Sequence, residues 1–206
     1  CIRIMEISEA ENMNIMGRKK KVVLILSGIG VLLAILIFAL LSYNSAKSVA
    51  KRFYKAYTQG NYKICDVLTA YNMKKYRVFI CGAETDEEVF FWRMTDRYDS
   101  DIESWNDFYK ATKEYQADLL EDQYGNYKIE IKVIKSKEIS VKKLFSDNKA
   151  HVDVLEDKTG FDSDKVSAAK MVVLKVKITG DDSTEREQVQ VQLVRIDGKW
   201  KVYSVD

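Results

Sequence analysis

Residues 188–205, QVQVQLVRIDGKWKVYSV, contain the strongest structural signal in this 206-residue chain. Apolar and polar side chains alternate on both sides of Asp197-Gly198, a dipeptide that favours the type I′ turn of a β-hairpin. Alternation with a period of two is typical of a strand with one dry face. We therefore expect strands at 186–196 and 199–206. Trp200 is on the dry face of the second strand, where we expect it to meet a helix around Phe53 and to matter most for stability.

Two further strands and several helices precede this hairpin. Apolar residues alternate with polar ones at 127–133 and at 166–179. Capping boxes that begin at Thr85 and Ser100 indicate two helix starts. Helices followed mostly by strands are typical of the α+β class, so we expect helices packed on one face of a curved, mostly antiparallel four-stranded sheet. Helical spacing of apolar residues recurs in three other segments, 45–60, 61–76 and 140–157.

Residues 22–41, VVLILSGIGVLLAILIFALL, are a run of 20 residues without a charge. A helix of this length measures about 30 Å, the thickness of the hydrocarbon core of a bilayer. Basic residues directly before the run favour a cytoplasmic N-terminus. We expect a cytoplasmic tail at 1–21, a transmembrane helix at 22–43 and an extracytoplasmic domain at 44–206, which makes the chain a single-pass protein of the cell membrane. Whether residues 1–15 belong to the native start, and whether the anchor is cleaved, stays open.

Charge is balanced within the expected domain. Residues 44–206 hold equal numbers of basic and acidic residues, although the whole chain has a net charge of +2. A neutral domain has no bulk attraction for polyanions, so nucleic acid is not expected as a partner. The expected partners are the membrane, through residues 22–41, and either a protein or a small ligand. A homodimer stays open.

Three segments of the chain resemble one superfamily. They are the opening helix VAKRFYKAYTQG at 49–60, the strand entry YGNYKIEI at 124–131 and the ending LVRIDGKWKV at 193–202. Together they are similar to the nuclear transport factor two-like superfamily, also called the cystatin-like cone, and to its small membrane-anchored extracytoplasmic members in Gram-positive bacteria. The resemblance covers most of residues 46–206. It implies a cone of helices against the sheet with a pocket at the wide end, in a fold that serves enzymes, binding modules and assembly parts alike.

Residues with catalytic chemistry are few. His151 is the one histidine, and a general base would need a carboxylate partner that the sequence does not place. We therefore expect it to be a bystander on a helix surface. The familiar nucleotide, metal and nucleophile motifs are missing from the sequence, so no catalytic residue, metal site or cofactor is expected. Cys65 and Cys81 are a disulfide candidate, with two free thiols as the alternative.

Aromatic residues are abundant between positions 53 and 109, and core packing accounts for most of them. Those that line a pocket would suit an apolar or sugar-like ligand. The pocket candidates are Phe53, Tyr57, Trp92 and Trp200. The expected function is a membrane-anchored extracytoplasmic binding or protein-interaction module rather than an enzyme. Two alternatives stay open: a scaffold subunit of an envelope-spanning conjugation or secretion complex, and a small pocket enzyme of the same fold.

Overall fold

Strands β2 and β3 form the centre of a four-stranded antiparallel sheet. The computed structural model describes residues 42–206, and within them the strands lie in the order β1-β2-β3-β4. Each strand pairs antiparallel with the next one along the chain. The α+β class and the four-stranded sheet predicted from the alternation are therefore confirmed. The strands span Lys128–Ile139 (β1), Val166–Thr179 (β2), Thr184–Ile196 (β3) and Lys199–Val205 (β4).

Two tight turns connect the last three strands. Asp197 and Gly198 have φ angles of +49° and +74°, the two positive values that a type I′ turn requires. In the β2–β3 turn the backbone N–H of Asp181 donates to the carbonyl oxygen of Tyr124 at 2.9 Å. A Cβ atom at Gly180 would lie 2.2 Å from the same oxygen. Only glycine therefore allows this turn to pack against the end of the helix that contains Tyr124.

Seven α-helices accompany the sheet in the described residues. Residues Asn44–Asp206 form one compact unit. None of the helices within 42–206 has the length and hydropathy needed to cross a bilayer; the expected transmembrane run at 22–41 and the tail before it lie outside the described residues. The helices span Ala46–Thr58 (α1), Tyr62–Leu68 (α2), Met73–Ile80 (α3), Glu87–Tyr98 (α4), Trp105–Tyr124 (α5), Val141–Asp147 (α6) and Lys149–Thr159 (α7).

Helices cover both faces of the sheet rather than one. Leu193 and Val194 are consecutive in β3 and both are fully buried, so their side chains point to opposite faces. Leu193 packs in a cluster with α1, whereas Val194 packs in a different cluster with α6 and α7. The second face is covered only at one end, and Gln188 and Gln190 remain exposed further along it. Because much of that face is polar, the alternation in β3 predicted a single dry face.

A separate group of apolar side chains joins α3, α4 and α5. Phe90 is 2% exposed and stacks on Trp105 with their ring centroids 4.9 Å apart. Phe108 is also 2% exposed and contacts Phe90 edge to face. Edge-to-face and offset-stacked rings each stabilise beyond the area that they bury. The N-terminal part of α5 is thereby held against α4.

The predicted capping boxes are each displaced along the chain. Asp86, and not Thr85, is the N-cap of α4, since its carboxylate accepts from the backbone N–H of Glu88 at 2.8 Å. The N-cap of α5 is Ser104 and not Ser100. The reason is a tertiary contact: the backbone N–H of Ile102 donates to the hydroxyl of Thr95 at 3.0 Å, which holds this segment against α4 as a loop.

The predicted helix at 61–76 is interrupted. α2 ends at Leu68 and α3 begins at Met73. Between them, the backbone N–H of Ala70 donates to the carbonyl oxygen of Val202 at 2.8 Å, and Thr69 forms a parallel bridge with the same residue. The backbone of 69–70 thus pairs with β4 instead of continuing the helix. The predicted helix at 140–157 is likewise divided, at Asn148 between α6 and α7.

Candidate functional site

An open cleft of about 710 Å³ lies between α2 and the N-terminal ends of α3 and α5. The break in the helix at 69–72 creates it, because α3 starts in a new direction after the bridge to β4. Lys63 and Asp66 line the cleft from α2, Lys74 lines it from α3, and Trp105 and Tyr109 line it from α5. Two consecutive helices, α2 and α3, and the start of the more distant helix α5 therefore share one concave surface.

Side-chain caps fix the two helix starts at the rim of the cleft. The amide oxygen of Asn72 accepts from the backbone N–H of Lys75 at 3.2 Å. The hydroxyl of Ser104 accepts from the backbone N–H of Asp107 at 3.3 Å and donates to the Asp107 carboxylate at 2.5 Å. Such caps satisfy backbone donors that the first turn leaves without partners. They also hold Lys74 and Trp105, which follow the capping residues closely.

Asp66 is the centre of the polar network in the cleft wall. Its carboxylate accepts from Nη2 of Arg77 at 2.9 Å and from the Tyr109 hydroxyl at 2.6 Å. The side chains of Asp66 and Arg77 are only 12% and 14% exposed. Burial, and next the hydrogen bond to Asp66, raises the pKa of Tyr109 well above its usual range. Tyr109 is therefore a protonated donor at neutral pH, and the network links α2, α3 and α5.

Aromatic rings hold the guanidinium of Arg77 in place. Its central carbon lies 4.5 Å from the ring centroid of Tyr62 and 5.6 Å from that of Phe108. Arg77 thus combines cation–π contacts with its charge-assisted hydrogen bond to Asp66. Burial raises the pKa of Tyr62. In the wall behind the cleft, the charge of Arg77 is thus balanced by the charge of Asp66.

Trp105 provides an aromatic surface at the cleft. Its indole Nε1–H donates to a carboxylate oxygen of Glu87 at 3.0 Å, and one side of the ring stacks on Phe90. The ammonium nitrogen of Lys74 lies 5.2 Å from the Trp105 ring centroid. Trp105 is half-buried, so it keeps accessible area while its orientation is fixed from behind.

The remaining charge in the cleft is positive. The Asp66 carboxylate is neutralised by Arg77, whereas Lys63 and Lys74 are exposed and form no ion pair with any residue in the described range 42–206. Exposed Val67 adds an apolar side chain. The cleft therefore offers a flat aromatic ring, two ammonium groups and polar amides to a ligand that is polar or anionic and has an apolar face.

None of the four aromatic residues predicted to line a pocket lines this cleft. Phe53 is buried against the sheet, and Tyr57 stacks on it with 49% of its surface exposed. Trp200 is half-buried against the cluster that contains Phe53, with Lys170 over its ring. Trp92 is 72% exposed on α4, beside a shallow groove separate from the cleft. The sequence showed Trp105 and Tyr109 as aromatic residues, but nothing in it connected them with Asp66.

The proposed disulfide is not formed. Cys65 and Cys81 are both free thiols. Cys65 lies in the cluster beneath α1, where its Sγ is 3.8 Å from the carbonyl oxygen of Phe53, whereas Cys81 packs against the cluster of α3, α4 and α5. The two side chains therefore belong to different cores. Burial raises the pKa of the Cys65 thiol to about 12.

His151 lies between two tyrosine rings rather than openly on a helix surface. Its ring centroid is 6.3 Å from that of Tyr76 and 5.6 Å from that of Tyr203, both edge to face. Burial lowers the pKa of His151.

In residues 42–206, no group of three or more His, Cys, Asp or Glu side chains is arranged to hold a metal ion.

Comparisons of the chain with protein-family models, with curated proteins and with solved structures found no match. The resemblance to the nuclear transport factor two-like superfamily therefore stays a prediction from the three sequence segments. What the structure itself defines is an α+β domain with an aromatic, positively charged cleft formed by helices beside its sheet.

Proposed function

We propose that this chain is a membrane-anchored extracytoplasmic binding module that takes a small sugar-like ligand with an acidic group in the cleft between α2, α3 and α5. The observation that carries the proposal is the position of Trp105. Phe90 and Glu87 fix its ring from behind, and the ammonium group of the exposed Lys74 lies over the ring, 5.2 Å from its centroid, where a ligand with an acidic group would engage it. An indole ring binds the apolar face of a sugar, and the two lysines of the cleft attract a carboxylate or a phosphate.

The proposal includes a transmembrane anchor and membership of the nuclear transport factor two-like superfamily. The uncharged run at 22–41 and the basic residues at 18–21 support a single transmembrane helix with its N-terminus in the cytoplasm. The three segments named above support a cone of the nuclear transport factor two-like type. Binding is favoured over catalysis because Asp66, the carboxylate of the cleft wall, is occupied by Arg77 and Tyr109, and the Ser104 hydroxyl is occupied by Asp107.

Titration of the purified full chain with glucuronic acid and with glucose tests the proposal. We expect glucuronic acid to quench tryptophan fluorescence saturably and to bind at least tenfold more tightly than glucose. Replacing Lys63 and Lys74 by Gln should remove this preference without affecting the fold, because both side chains are exposed. Equal binding of the two sugars to the natural chain, or no binding of either, would contradict the proposal.

A matched pair of tryptophan variants locates the ligand. Trp105→Phe keeps a ring against Phe90 but removes the hydrogen bond to Glu87, and we expect it to weaken binding and to remove most of the quenching. Trp92→Phe changes an exposed ring outside the cleft, so it should leave the affinity unchanged. If the two variants behaved alike, the ligand would lie elsewhere.

A further inference from the structure

One face of the sheet is open over most of its length. Val194 in β3 and Ala169 in β2 pack in the cluster with α6 and α7, which covers one end of this face. Side chains alternate along a strand, so Gln190 lies on the same face as Val194, and Lys175 lies on the same face as Ala169. Both Gln190 and Lys175 are exposed. Beyond the covered end, this face is therefore accessible.

The open face is basic. Lys132 lies directly opposite Lys175 in the β1–β2 pairing, and Lys177 lies directly opposite Arg186 in the β2–β3 pairing. Like charges directly opposite each other destabilise a sheet, so these charges are concentrated at a cost to stability. We call the surface formed by the following side chains the basic face: Lys128, Lys132, Lys135, Lys137, Lys175, Lys177 and Arg186.

Acidic residues compensate only part of this charge. Glu130 lies on the same face and forms an ion pair with Lys128 at 2.8 Å. Asp206 pairs with Gln190 through the backbone at the outer edge, and its carboxylate accepts from the side-chain amide of Gln192 at 2.9 Å. The basic side chains outnumber these two carboxylates, so the face keeps an excess of positive charge.

The middle of the basic face is apolar. Val173 in β2 lies directly opposite Lys135 of β1 and Gln190 of β3, and it is half-buried. Met171, the next residue of β2 on the same face, lines a groove of about 360 Å³ at the start of α6. A partner that covers Val173 and Met171 would bury apolar surface and place its own charges among the lysines.

Negative charge is concentrated on α4 and on the loop that follows it. A groove of about 370 Å³ there is lined by the carboxylates of Glu88, Asp101 and Glu103 and by the aromatic rings of Phe91 and Trp92. The three carboxylates are exposed and form no ion pair with any residue of the described range 42–206. We call this surface the acidic groove.

Trp92 gives the acidic groove an apolar contact. Its side chain is 72% exposed. Tryptophan is enriched among the residues that contribute most to protein–protein binding, where surrounding polar groups exclude water from it. An exposed indole ring among carboxylates suits a partner surface with an apolar middle and basic surroundings. The basic face, with Val173 in its middle, has this arrangement.

The two surfaces belong to the same chain but do not meet within one copy of the domain. α4 packs in the cluster of α3, α4 and α5, which contains no residue of the sheet. No ion pair joins the acidic groove to the basic face within residues 42–206. Residues 44–206 hold equal numbers of acidic and basic residues, so two copies do not repel each other through net charge, while their separated charges attract.

We propose that the domain binds a second copy of itself head to tail, with the acidic groove of one copy on the basic face of the other. Trp92 then covers the apolar middle of the face around Val173, and the carboxylates meet the lysines. Because the two surfaces differ, the contact is heterologous, and each dimer keeps one free groove and one free face. Further copies therefore add to it. The inference depends neither on the ligand in the cleft nor on the membrane anchor.

One charge-reversal variant disables the basic face alone. It carries Lys175→Glu and Arg186→Glu, two exposed positions. Each new carboxylate lies opposite a lysine across a strand pair, Lys132 or Lys177, so the sheet should not be weakened. Its control carries Lys47→Glu and Lys51→Glu, which change the net charge equally on the exposed side of α1 and should leave self-association intact.

A second variant disables the acidic groove alone. It carries Asp101→Lys and Glu103→Lys, both exposed in the loop before α5. We expect the natural full chain, in a neutral detergent at low salt, to form oligomers larger than a dimer by sedimentation equilibrium. Each variant alone should stay monomeric, since it has lost one of the two surfaces. An equimolar mixture of the two variants should form a dimer and nothing larger, because only one intact groove and one intact face can pair.

Salt and Trp92 test the two kinds of contact separately. High salt should raise the dissociation constant of the natural chain by about tenfold or more, because it screens the exposed charges. Trp92→Ala should raise it by about tenfold at low salt. Tyr115→Ala is the matched control, since Tyr115 is an exposed aromatic residue of α5 outside the acidic groove, and it should leave the dissociation constant unchanged.

Three results would overturn the inference. A mixture of the two folded variants that stays monomeric would reject the pairing of groove and face. Association that persists in each variant alone and at high salt would assign it to another part of the chain. A natural chain that stays monomeric, but binds poly(L-glutamate) through the basic face, would assign that face to a different acidic partner.

Discussion

The Asp66 carboxylate accepts a hydrogen bond from the Arg77 guanidinium at 2.9 Å and so joins α2 to α3 across the break at 69–72. The pair turns a helix interruption into a cleft wall of fixed geometry. Tyr109 brings α5 into the same network through its hydroxyl, 2.6 Å from Asp66. The geometry of the cleft therefore depends on a polar contact among three helices as well as on apolar packing.

Removing the positive charge of Arg77 from its ion pair with Asp66 should destabilise the domain. We expect Arg77→Met to lower the free energy of unfolding by about 3 kcal/mol, because it leaves the largely buried carboxylate of Asp66 without its counter-ion. The measurement is the midpoint of urea unfolding followed by circular dichroism. Lys149→Met is the matched control, since it removes an ion pair with the same distance of 2.9 Å on an exposed helix surface. It should leave the midpoint unchanged, and equal effects of the two changes would contradict a structural role for the Asp66–Arg77 pair.

Gly60 sets the distance between α1 and α5. Its φ angle is +64°, and a Cβ atom there would lie 2.4 Å from the backbone oxygen of Thr112. We expect Gly60→Ala to lower the free energy of unfolding by about 2 to 4 kcal/mol, from the left-handed conformation together with the backbone clash.

Gly160 provides the comparison for this change. Its φ angle is +70°, and no atom lies within 4 Å of the position that a Cβ would occupy. Gly160→Ala should therefore cost only about 1 kcal/mol, which is the conformational part alone. Thermal unfolding of both variants gives the difference. If the two glycines proved equally sensitive, the close approach at Thr112 would not restrict the packing of α1 against α5.

The stability of the domain should fall on acidification because of His151. Burial among aromatic rings lowers its pKa in the folded state below the ordinary value of 6.5. The unfolded chain then binds more protons than the folded one as the pH falls below about 6.5, so protonation favours unfolding. His151→Gln should make the unfolding midpoint less dependent on pH between 7.5 and 5, with little change at neutral pH. An unchanged slope would mean that His151 does not contribute.

Tyr203 should contribute more to stability than Trp200. Tyr203 is 1% exposed, whereas Trp200 is half-buried at the start of β4. We expect Tyr203→Ala to cost about 3 to 5 kcal/mol and Trp200→Ala about 2 kcal/mol. This reverses the ranking expected from the sequence. Denaturant unfolding of both variants measures the two losses of unfolding free energy. A larger loss for Trp200→Ala than for Tyr203→Ala would support the ranking expected from the sequence.

The hydroxyl of Tyr203 allows a more specific test. It is buried and has no hydrogen-bond partner among residues 42–206. Removing a buried hydroxyl without a partner relieves the cost of its lost hydration. Tyr203→Phe should therefore raise the unfolding midpoint slightly, in contrast to Tyr203→Ala. A clear loss of stability in the Phe variant would indicate that the hydroxyl has a partner.

Local pattern was sufficient for β2, β3 and β4. β1 instead continues to Ile139, beyond the predicted 127–133, across a register shift between Val133 and Lys135. Residues 166–179 alternate in sequence, and β2 has these same bounds. Asp197-Gly198 adopts the two positive φ angles that its residue types favour. Both signals arise within a few residues, from side-chain period and from the φ preferences of Asp and Gly. Both the strand and the turn could therefore be predicted without knowing which elements pack against them.

Helix boundaries were less predictable where a tertiary contact competed with a local signal. Ser100 begins a plausible capping box, yet the hydrogen bond from Ile102 to Thr95 keeps that segment out of a helix. The helix at 61–76 breaks because Ala70 bonds to Val202, a residue at the other end of the chain. Periodicity within a window contains no information about such a partner.

The sequence by itself determined the α+β class, a mostly antiparallel sheet of four strands and the turn at Asp197-Gly198, because period and turn chemistry are local properties. Only the tertiary structure decided where the cleft lies and which residues form it. Asp66, Arg77 and Tyr109 come from three different helices, and they meet because β4 draws residues 69–70 out of the helix and redirects α3. That redirection depends on a hydrogen bond between residues more than a hundred positions apart, which only the folded chain brings together.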